Sequence, residues 1–171
     1  ILREQKMKPL TKKMQDIITP EAALNLLKEG NKRFINNLKI NRDLLQQANE
    51  TSEGQHPFAV ILGCIDSRTP AELIFDQGLG DIFNVRIAGT IVNEDILGSM
   101  EFACKLAGAK IIIVLGHTKC GAVKGACDQV EMGNLTGLLK KLQPAVNAEK
   151  TVTKNRTSIN DDFVEKVSTI N

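Results

Sequence analysis

Two stretches of the chain hold residue types that can do chemistry: Cys64-Ile65-Asp66-Ser67-Arg68 and, further on, His117-Thr118-Lys119-Cys120. Two cysteines and a histidine offer two soft thiolates and one imidazole, a ligand set that suits zinc. Three protein ligands leave one tetrahedral position open, which marks a catalytic rather than a structural site. Asp66 and Arg68 follow Cys64 closely, so an acid and a guanidinium stand within reach of whatever fills that position. The combination reads as a hydrolase- or hydratase-type zinc site.

Neither stretch is decisive alone. Cys-x-Asp-Ser-Arg can be a capped turn in which Asp66 or Ser67 bonds backbone amides and Arg68 is solvated. His-x-x-Cys is a weak signal by itself. Together, each at the end of an apolar run, they are hard to explain as turns. Cys104 and Cys127 fall in helix-like stretches and read as buried core thiols. His56, beside Pro57, reads as a loop residue, and Gly78-Leu79-Gly80 as a helix stop rather than a phosphate loop, since no strand precedes it.

The elements that must position these residues follow from periodicity. Residues 1–18 are basic and loosely periodic, an arm or a frayed helix. Thr19-Pro20-Glu21 is a helix start, with a capping hydroxyl, Pro in the first turn and an early acid. Leu24, Leu27, Phe34, Ile35 and Leu38 recur at helical spacing, which predicts an amphipathic helix over 20–38. Residues 39–56 read as a polar loop with a helical piece near 42–48. Phe58 to Gly63 is a short apolar run ending in Gly, a strand buried on both faces. Pro70 to Gln77 reads as a helix closed by Gly78, and Ile82 to Ile87 as an alternating strand. Asn93 caps a helix carrying Ile96, Met100, Ala103, Cys104 and Ala107, with Gly108 as its stop. Ile111 to Leu115 is a third buried strand. Helices follow near 119–130, 135–147 and 160–168, the second kinked or divided at Pro144.

Strand, helix, strand, helix, strand predicts an α/β fold, an open, mostly parallel sheet flanked by helices, with an N-terminal helical arm over 1–18 and one α/β domain over 19–171. Cys64 stands just past the carboxyl end of the first strand and His117 just past that of the third. Ligands of open α/β sheets bind outside those ends. A central order of 2-1-3 brings Cys64, His117 and Cys120 together.

Composition narrows the function classes. At 171 residues, 42% apolar and 25% charged, the chain suits one globular domain with an aliphatic core, having six Phe and no Trp or Tyr. A net charge of +2 gives no case for nucleic acid, and the run Ile111–Leu115 is far too short to cross a membrane. Four cysteines in a chain this long do not form the disulfide framework of a small secreted domain. The chain therefore reads as cytoplasmic, or as periplasmic had a signal peptide preceded Ile1.

With these residues in view the sequence resembles the β-class carbonic anhydrases. The likeness rests on Cys64-Ile65-Asp66-Ser67-Arg68 paired with His117-Thr118-Lys119-Cys120-Gly121 and extends from about Thr19 to Val146. It takes in Glu29-Gly30-Asn31, Glu72-Leu73-Ile74-Phe75-Asp76 and Val85-Arg86-Ile87-Ala88-Gly89. The resemblance implies zinc held by Cys64, His117 and Cys120, with Asp66 and Arg68 as a catalytic pair and Asp66 as fourth ligand in a closed state. It implies that Gln55 and Phe83 line the substrate pocket and that the Gly121 N–H faces the substrate. The implied activity is reversible hydration of CO2 to bicarbonate and a proton by a zinc-bound hydroxide. Hydrolysis of carbonyl sulfide or carbon disulfide on the same scaffold, and a non-catalytic bicarbonate-binding zinc protein, are the alternatives. The resemblance also implies a homodimer or a tetramer of dimers. Family members carry a further segment with a last strand after a helix like 160–168, so the sheet edge and part of the interface are expected to lack it here. No Tyr and no second His stands out as a proton shuttle.

Overall fold

A computed structural model describes residues 8–171. The first seven residues of the expected 1–18 arm lie outside the described residues. In the rest of that arm Lys12–Ile17 forms α1, capped by the Thr11 hydroxyl, which accepts from the Met14 N–H. The elements that follow are α2 (Pro20–Ile35), α3 (Leu44–Glu50), β1 (Ala59–Gly63), α4 (Ala71–Ile74) and β2 (Ile82–Arg86). Then come α5 (Glu94–Glu101), β3 (Ile111–Leu115), α6 (Gly121–Cys127), α7 (Gly133–Lys140), α8 (Gln143–Ala148) and α9 (Asp161–Ile170).

The three strands form one sheet in the order β2-β1-β3. Phe58 N–H donates to Asp81 O at 2.9 Å and Ile87 N–H to Gly63 O at 3.0 Å, so β1 and β2 advance together and are parallel. Lys110 N–H donates to Phe58 O at 2.8 Å, which starts β3 in the same register. The expected topology is borne out. Every residue of β1 is buried, so both faces of this central strand are covered. β3 departs from expectation: Ile112 is 45% and Val114 61% exposed, because the strand is an edge of this sheet and one of its faces is uncovered. No helix among the described residues is long and apolar enough to cross a membrane.

The chain divides into two compact units. The first comprises the residues up to Leu62, Thr69–Val85 and Glu94–Ile113; the second comprises Gly63–Arg68, Arg86–Asn93 and Val114–Asn171. In the first unit α2 is capped by the Thr19 hydroxyl, which accepts from Ala22 N–H, and buries Ala23, Leu27 and Gly30. A Cβ on Gly30 would stand 1.6 Å from Phe75 O, so only glycine lets α2 lie this close to the end of α4. Asn31 donates to Ile74 O at 3.1 Å beside it. Asp76, at φ 44°, ends α4 well before Gly78, and the expected helix to Gln77 is cut to Ala71–Ile74. What holds that left-handed turn is charge: Arg33 and Arg42 both donate to the Asp76 carboxylate, Arg42 Nη1 at 2.6 Å. Burial pushes this carboxyl up, but the two guanidinium hydrogen bonds and the Arg42 charge outweigh it and its pKa is lowered. Gln15, fully buried, ties the arm down by donating to Pro57 O at 2.7 Å and Ala107 O at 2.8 Å.

The second unit packs Val123 and Cys127 of α6, Ala145 of α8 and Phe163, Val164 and Val167 of α9 into one core with Cys64 and Cys120. A neighbouring cluster joins Ile91, Ala126, Leu139 and Leu142. Pro144 lies in the first turn of α8, where its missing N–H costs nothing, so it divides the expected 135–147 helix into α7 and α8. Asn160 caps α9 by accepting from Phe163 N–H. Glu149, buried, accepts from the Thr151 hydroxyl and amide, from Val152 N–H and from Arg156 at 2.9 Å. The Thr151 bond is the largest cause of its lowered pKa of about 2.

Candidate metal centre

Cys64, Asp66, Arg68, His117 and Cys120 all belong to the second unit. Cys64 leaves the carboxyl end of β1, and His117 follows β3 after Gly116. Lys119, at φ 55°, turns the chain so that Cys120 sits at the cap of α6 with its sulfur inward. Both sulfurs are buried, Cys64 at 5% and Cys120 at 3% exposure, and they lie 3.9 Å apart. One ligating atom from each of Cys64, His117 and Cys120 lies within 4.8 Å of the others, the single such group of three or more metal-ligating residues among the described residues.

The protonation pattern suits a cation. His117 Nδ1 is 2.9 Å from Thr118 O, and a carbonyl only accepts, so Nδ1 carries the proton and Nε2 offers its lone pair. That Nε2 is buried and has no hydrogen-bond partner. An orphaned acceptor beside two sulfurs is satisfied by a soft or borderline dication. Burial works against the Cys64 thiolate, but hydrogen bonds to its sulfur, among them those from the backbone amides of Gly89 and Asp66, outweigh it, and its pKa is lowered. Burial raises the Cys120 pKa, and the neighbouring Cys64 charge raises it further. Two thiolates this close need a positive charge between them, which zinc supplies. The donor set fits that ion.

Asp66 and Arg68 pair beside the sulfurs. Arg68 Nε donates to Asp66 Oδ1 at 3.0 Å, Nη2 to Oδ2 at 2.9 Å, and the Arg68 backbone N–H to Oδ1 at 2.9 Å. These Arg68 bonds, side chain first, hold the Asp66 carboxyl well below the usual carboxylate range. Asp66 Oδ2 also lies 3.8 Å from His117 Nδ1, so the acid faces the ligand cluster. Gly121 opens α6 immediately after Cys120, and no atom lies within 4 Å of where its Cβ would be. A cavity of about 650 Å³ is lined by Gly89, Thr90, His117 and Cys120 together with Ser168 of the last helix and the terminal Asn171.

The structure thus brings Cys64, His117, Cys120, Asp66, Arg68 and Gly121 together. Gln55 and Phe83 fall in the first unit: Gln55 is exposed, and Phe83 meets Phe102 edge-on with ring centroids 6.2 Å apart. Sequence reasoning assigned no role to two further residues. Arg86, the last residue of β2, donates to Cys64 O at 2.8 Å and to Asp66 O at 2.5 Å. Gly89, at φ 69°, donates its N–H to Cys64 Sγ at 3.4 Å, and its carbonyl accepts from Asn171. No residue type flags either of them, since an alternating strand that already carries Asn84 gives its terminal Arg86 no special standing.

Comparison with known proteins agrees with this geometry. The family described as Carbonic anhydrase matches residues 59–171. Carbonic anhydrase 2 of Mycobacterium tuberculosis is 42% identical over 133 residues, covering 74% of this chain and 64% of that protein. The carbonic anhydrase of Mycolicibacterium smegmatis is 41% identical over 117 residues, covering 68% of this chain and 57% of its own. The chain therefore spans less than two thirds of either relative. Among solved structures, the β-carbonic anhydrase CafA of Aspergillus fumigatus is 26% identical with a TM-score of 0.60, covering 86% of this chain and 69% of its own.

Proposed function

Because this chain belongs to the β-class carbonic anhydrase family, we propose that it catalyses the reversible hydration of CO2 to bicarbonate and a proton, with zinc held by Cys64, His117 and Cys120. The observation that carries the reading is the meeting of these donors with His117 Nε2 buried and unpartnered. Bound there, zinc would acidify water, so that a strong oxygen nucleophile exists near neutral pH.

Asp66 and Arg68 do the positioning. An acid held ionised by a guanidinium fork can only accept, so it takes the O–H of the attacking oxygen and turns that oxygen's lone pair toward the carbon of CO2. The same acceptor disfavours any competitor without a proton to donate. As the C–O bond forms, negative charge grows on the CO2 oxygens, and the Gly121 N–H is proposed to donate to it; Gln55 and Phe83 are proposed as substrate-pocket residues on the family resemblance alone. The proton lost from water leaves through solvent or buffer. Freed of Arg68, Asp66 is proposed to become a fourth ligand and close the site. Residues 19–171 are proposed to work as one zinc-binding domain.

We also propose that the protein is a homodimer or a tetramer of dimers. The end of α2 and the residue Leu38 beyond it are uncovered, with Phe34 46%, Ile35 68% and Leu38 67% exposed, which suits packing on a second copy.

Stopped-flow CO2 hydration by zinc-loaded protein tests the activity, with Asp66→Asn expected to lose about 10²-fold, the scale of a positioned proton acceptor. Stoichiometric zinc with no hydration above the buffer rate would refute catalysis and leave a binding protein. X-ray absorption showing anything other than two sulfurs and one imidazole would refute the ligand set, whereas Cys104→Ser and Cys127→Ser should retain the metal.

A further inference from the structure

We infer that Arg86 is a positioning residue of the metal centre: its guanidinium fork fixes the Cys64–Asp66 loop so that ligand and acid present to the same point. The inference rests on the reading of Cys64, His117 and Cys120 as zinc ligands.

Cys64 and Asp66 are separated by Ile65, which is 62% exposed and anchors nothing. A loop of this kind has two soft dihedrals at each residue; the Asp66 amide on the Cys64 sulfur and the Arg68 amide on the Asp66 carboxylate orient the side chains locally, but neither holds the peptide carbonyls of Cys64 and Asp66. The structure supplies that constraint from the end of β2. Arg86 Nε donates to Cys64 O at 2.8 Å and Nη2 to Asp66 O at 2.5 Å. Both carbonyls flanking Ile65 are therefore drawn to one planar group, which fixes the two peptide planes together.

The rest of the same segment completes the grip. Ile87 N–H donates to Gly63 O at 3.0 Å, and Gly89 N–H donates to Cys64 Sγ at 3.4 Å. Residues 86–89 thus hold Gly63, Cys64 and Asp66 by their main chain and touch the sulfur directly. Arg86 is the one member of this set that acts through a side chain, so it can be changed without changing the backbone. It touches neither sulfur nor carboxylate. Its effect on chemistry passes through the loop it holds.

The fork is what matters, not the charge. Two donors at fixed separation in one plane span two carbonyls; a lysine ammonium is a point charge on a flexible stem and holds one acceptor at a time. A structural role in the sheet alone would be restored by any long side chain that keeps the strand end covered. A role in aligning Cys64 with Asp66 would not.

Zinc affinity by competition with a chelator, and the absorption spectrum of the cobalt(II)-substituted protein, test this on the parent, Arg86→Lys and Arg86→Met. Arg86→Lys and Arg86→Met are both expected to bind zinc about 10- to 100-fold more weakly than the parent, the range found when groups that orient metal ligands are removed. Their cobalt spectra should show shifted thiolate charge-transfer and ligand-field bands, while far-ultraviolet circular dichroism stays that of the parent. If Arg86→Met does not fold, Arg86→Lys, which keeps charge and length, carries the measurement alone. Parent-like affinity and cobalt bands in Arg86→Lys would overturn the inference while leaving the zinc reading intact. Failure of the parent itself to bind zinc would overturn both.

Discussion

Gly89→Ala tests whether the turn after β2 is as tightly specified as the structure shows. Gly89 sits at φ 69° and ψ 10°, in the left-handed region, where a residue with a Cβ costs roughly 1–2 kcal/mol. The added carbon would also stand 2.9 Å from Leu142 Cδ1 and 3.1 Å from Ala122 Cβ. Leu142 is fully buried and Ala122 has no rotamer to change, so neither can step aside freely. Overpacking of this kind costs about 1–3 kcal/mol. Together the two effects predict a loss of about 2–5 kcal/mol, against a total stability of about 5–15 kcal/mol for a typical domain. Urea denaturation in the presence of a chelator reads the loss without metal; at a slope of about 2 kcal/mol per molar the midpoint should fall by roughly 1–2.5 M. With zinc present the loss should grow, because the Gly89 N–H that donates to Cys64 Sγ moves with the turn. Gly121→Ala is the control, since the same methyl meets nothing within 4 Å there, and its stability should stay within about 0.5 kcal/mol of the parent. A Gly89→Ala midpoint indistinguishable from that of Gly121→Ala would refute the argument.

The remaining expectations concern charge, metal and assembly. Asp76→Asn leaves Arg33 and Arg42 without their buried anion and should cost about 3–5 kcal/mol, measured by urea denaturation at pH 7. Asp76 and Glu149 have folded pKa values below their ordinary 3.8 and 4.5, so their contribution is complete above those values and is lost as pH falls through the lower folded ones; a stability profile still flat well below pH 4 would contradict this. Because burial and Cys64 raise the Cys120 pKa, zinc binding should release protons and tighten with rising pH, which calorimetry in buffers of different ionisation enthalpy measures. Arg68→Ala removes the fork on Asp66, and in the zinc-loaded crystal structure Asp66 should occupy the fourth position; a water there with parent-like activity would dismiss the gate. Sedimentation at micromolar concentration should show a dimer or tetramer, and charge introduced at exposed Ile35 should weaken it.

Much of this arrangement was legible in the residues, and the parts that were not share a cause. Periodicity placed α2, β1, β2 and α9, with Thr19 marking the start of α2 locally and a continuous apolar run marking the buried strand. The end of α2 at Ile35 rather than Leu38 follows from Asn37 at φ 55°, a turn that hydrophobic spacing does not encode. The truncation of α4 likewise follows from Arg33 and Arg42, which are distant in sequence, converging on Asp76. β3 reads as a buried strand because Ile111 to Leu115 is wholly apolar, yet the exposure of Ile112 and Val114 depends on which strand stands at the edge. In the site, ligand types and spacing made Cys64, His117 and Cys120 visible. Arg86 and Gly89 were silent because they act through backbone groups, and a hydrogen bond to a carbonyl leaves no complementary residue type to notice.

The strand order explains why these contributions can meet. A residue just past the carboxyl end of β1 has, in the order β2-β1-β3, one neighbour on each side. β3 delivers His117 and, after a tight turn, Cys120. β2 delivers Arg86 and Gly89, which bind the loop rather than a metal. Were β1 at an edge, Cys64 would have either partners for coordination or a brace for its loop, but not both. A central first strand gives the same cysteine two ligand partners from one side and main-chain support from the other. Burial of β1 along its full length is a separate matter, since neighbouring strands satisfy its edges and only elements packed on the sheet cover its two faces. The placing of Cys64 between a histidine and cysteine on one side and a brace on the other is thus the consequence of one topological choice.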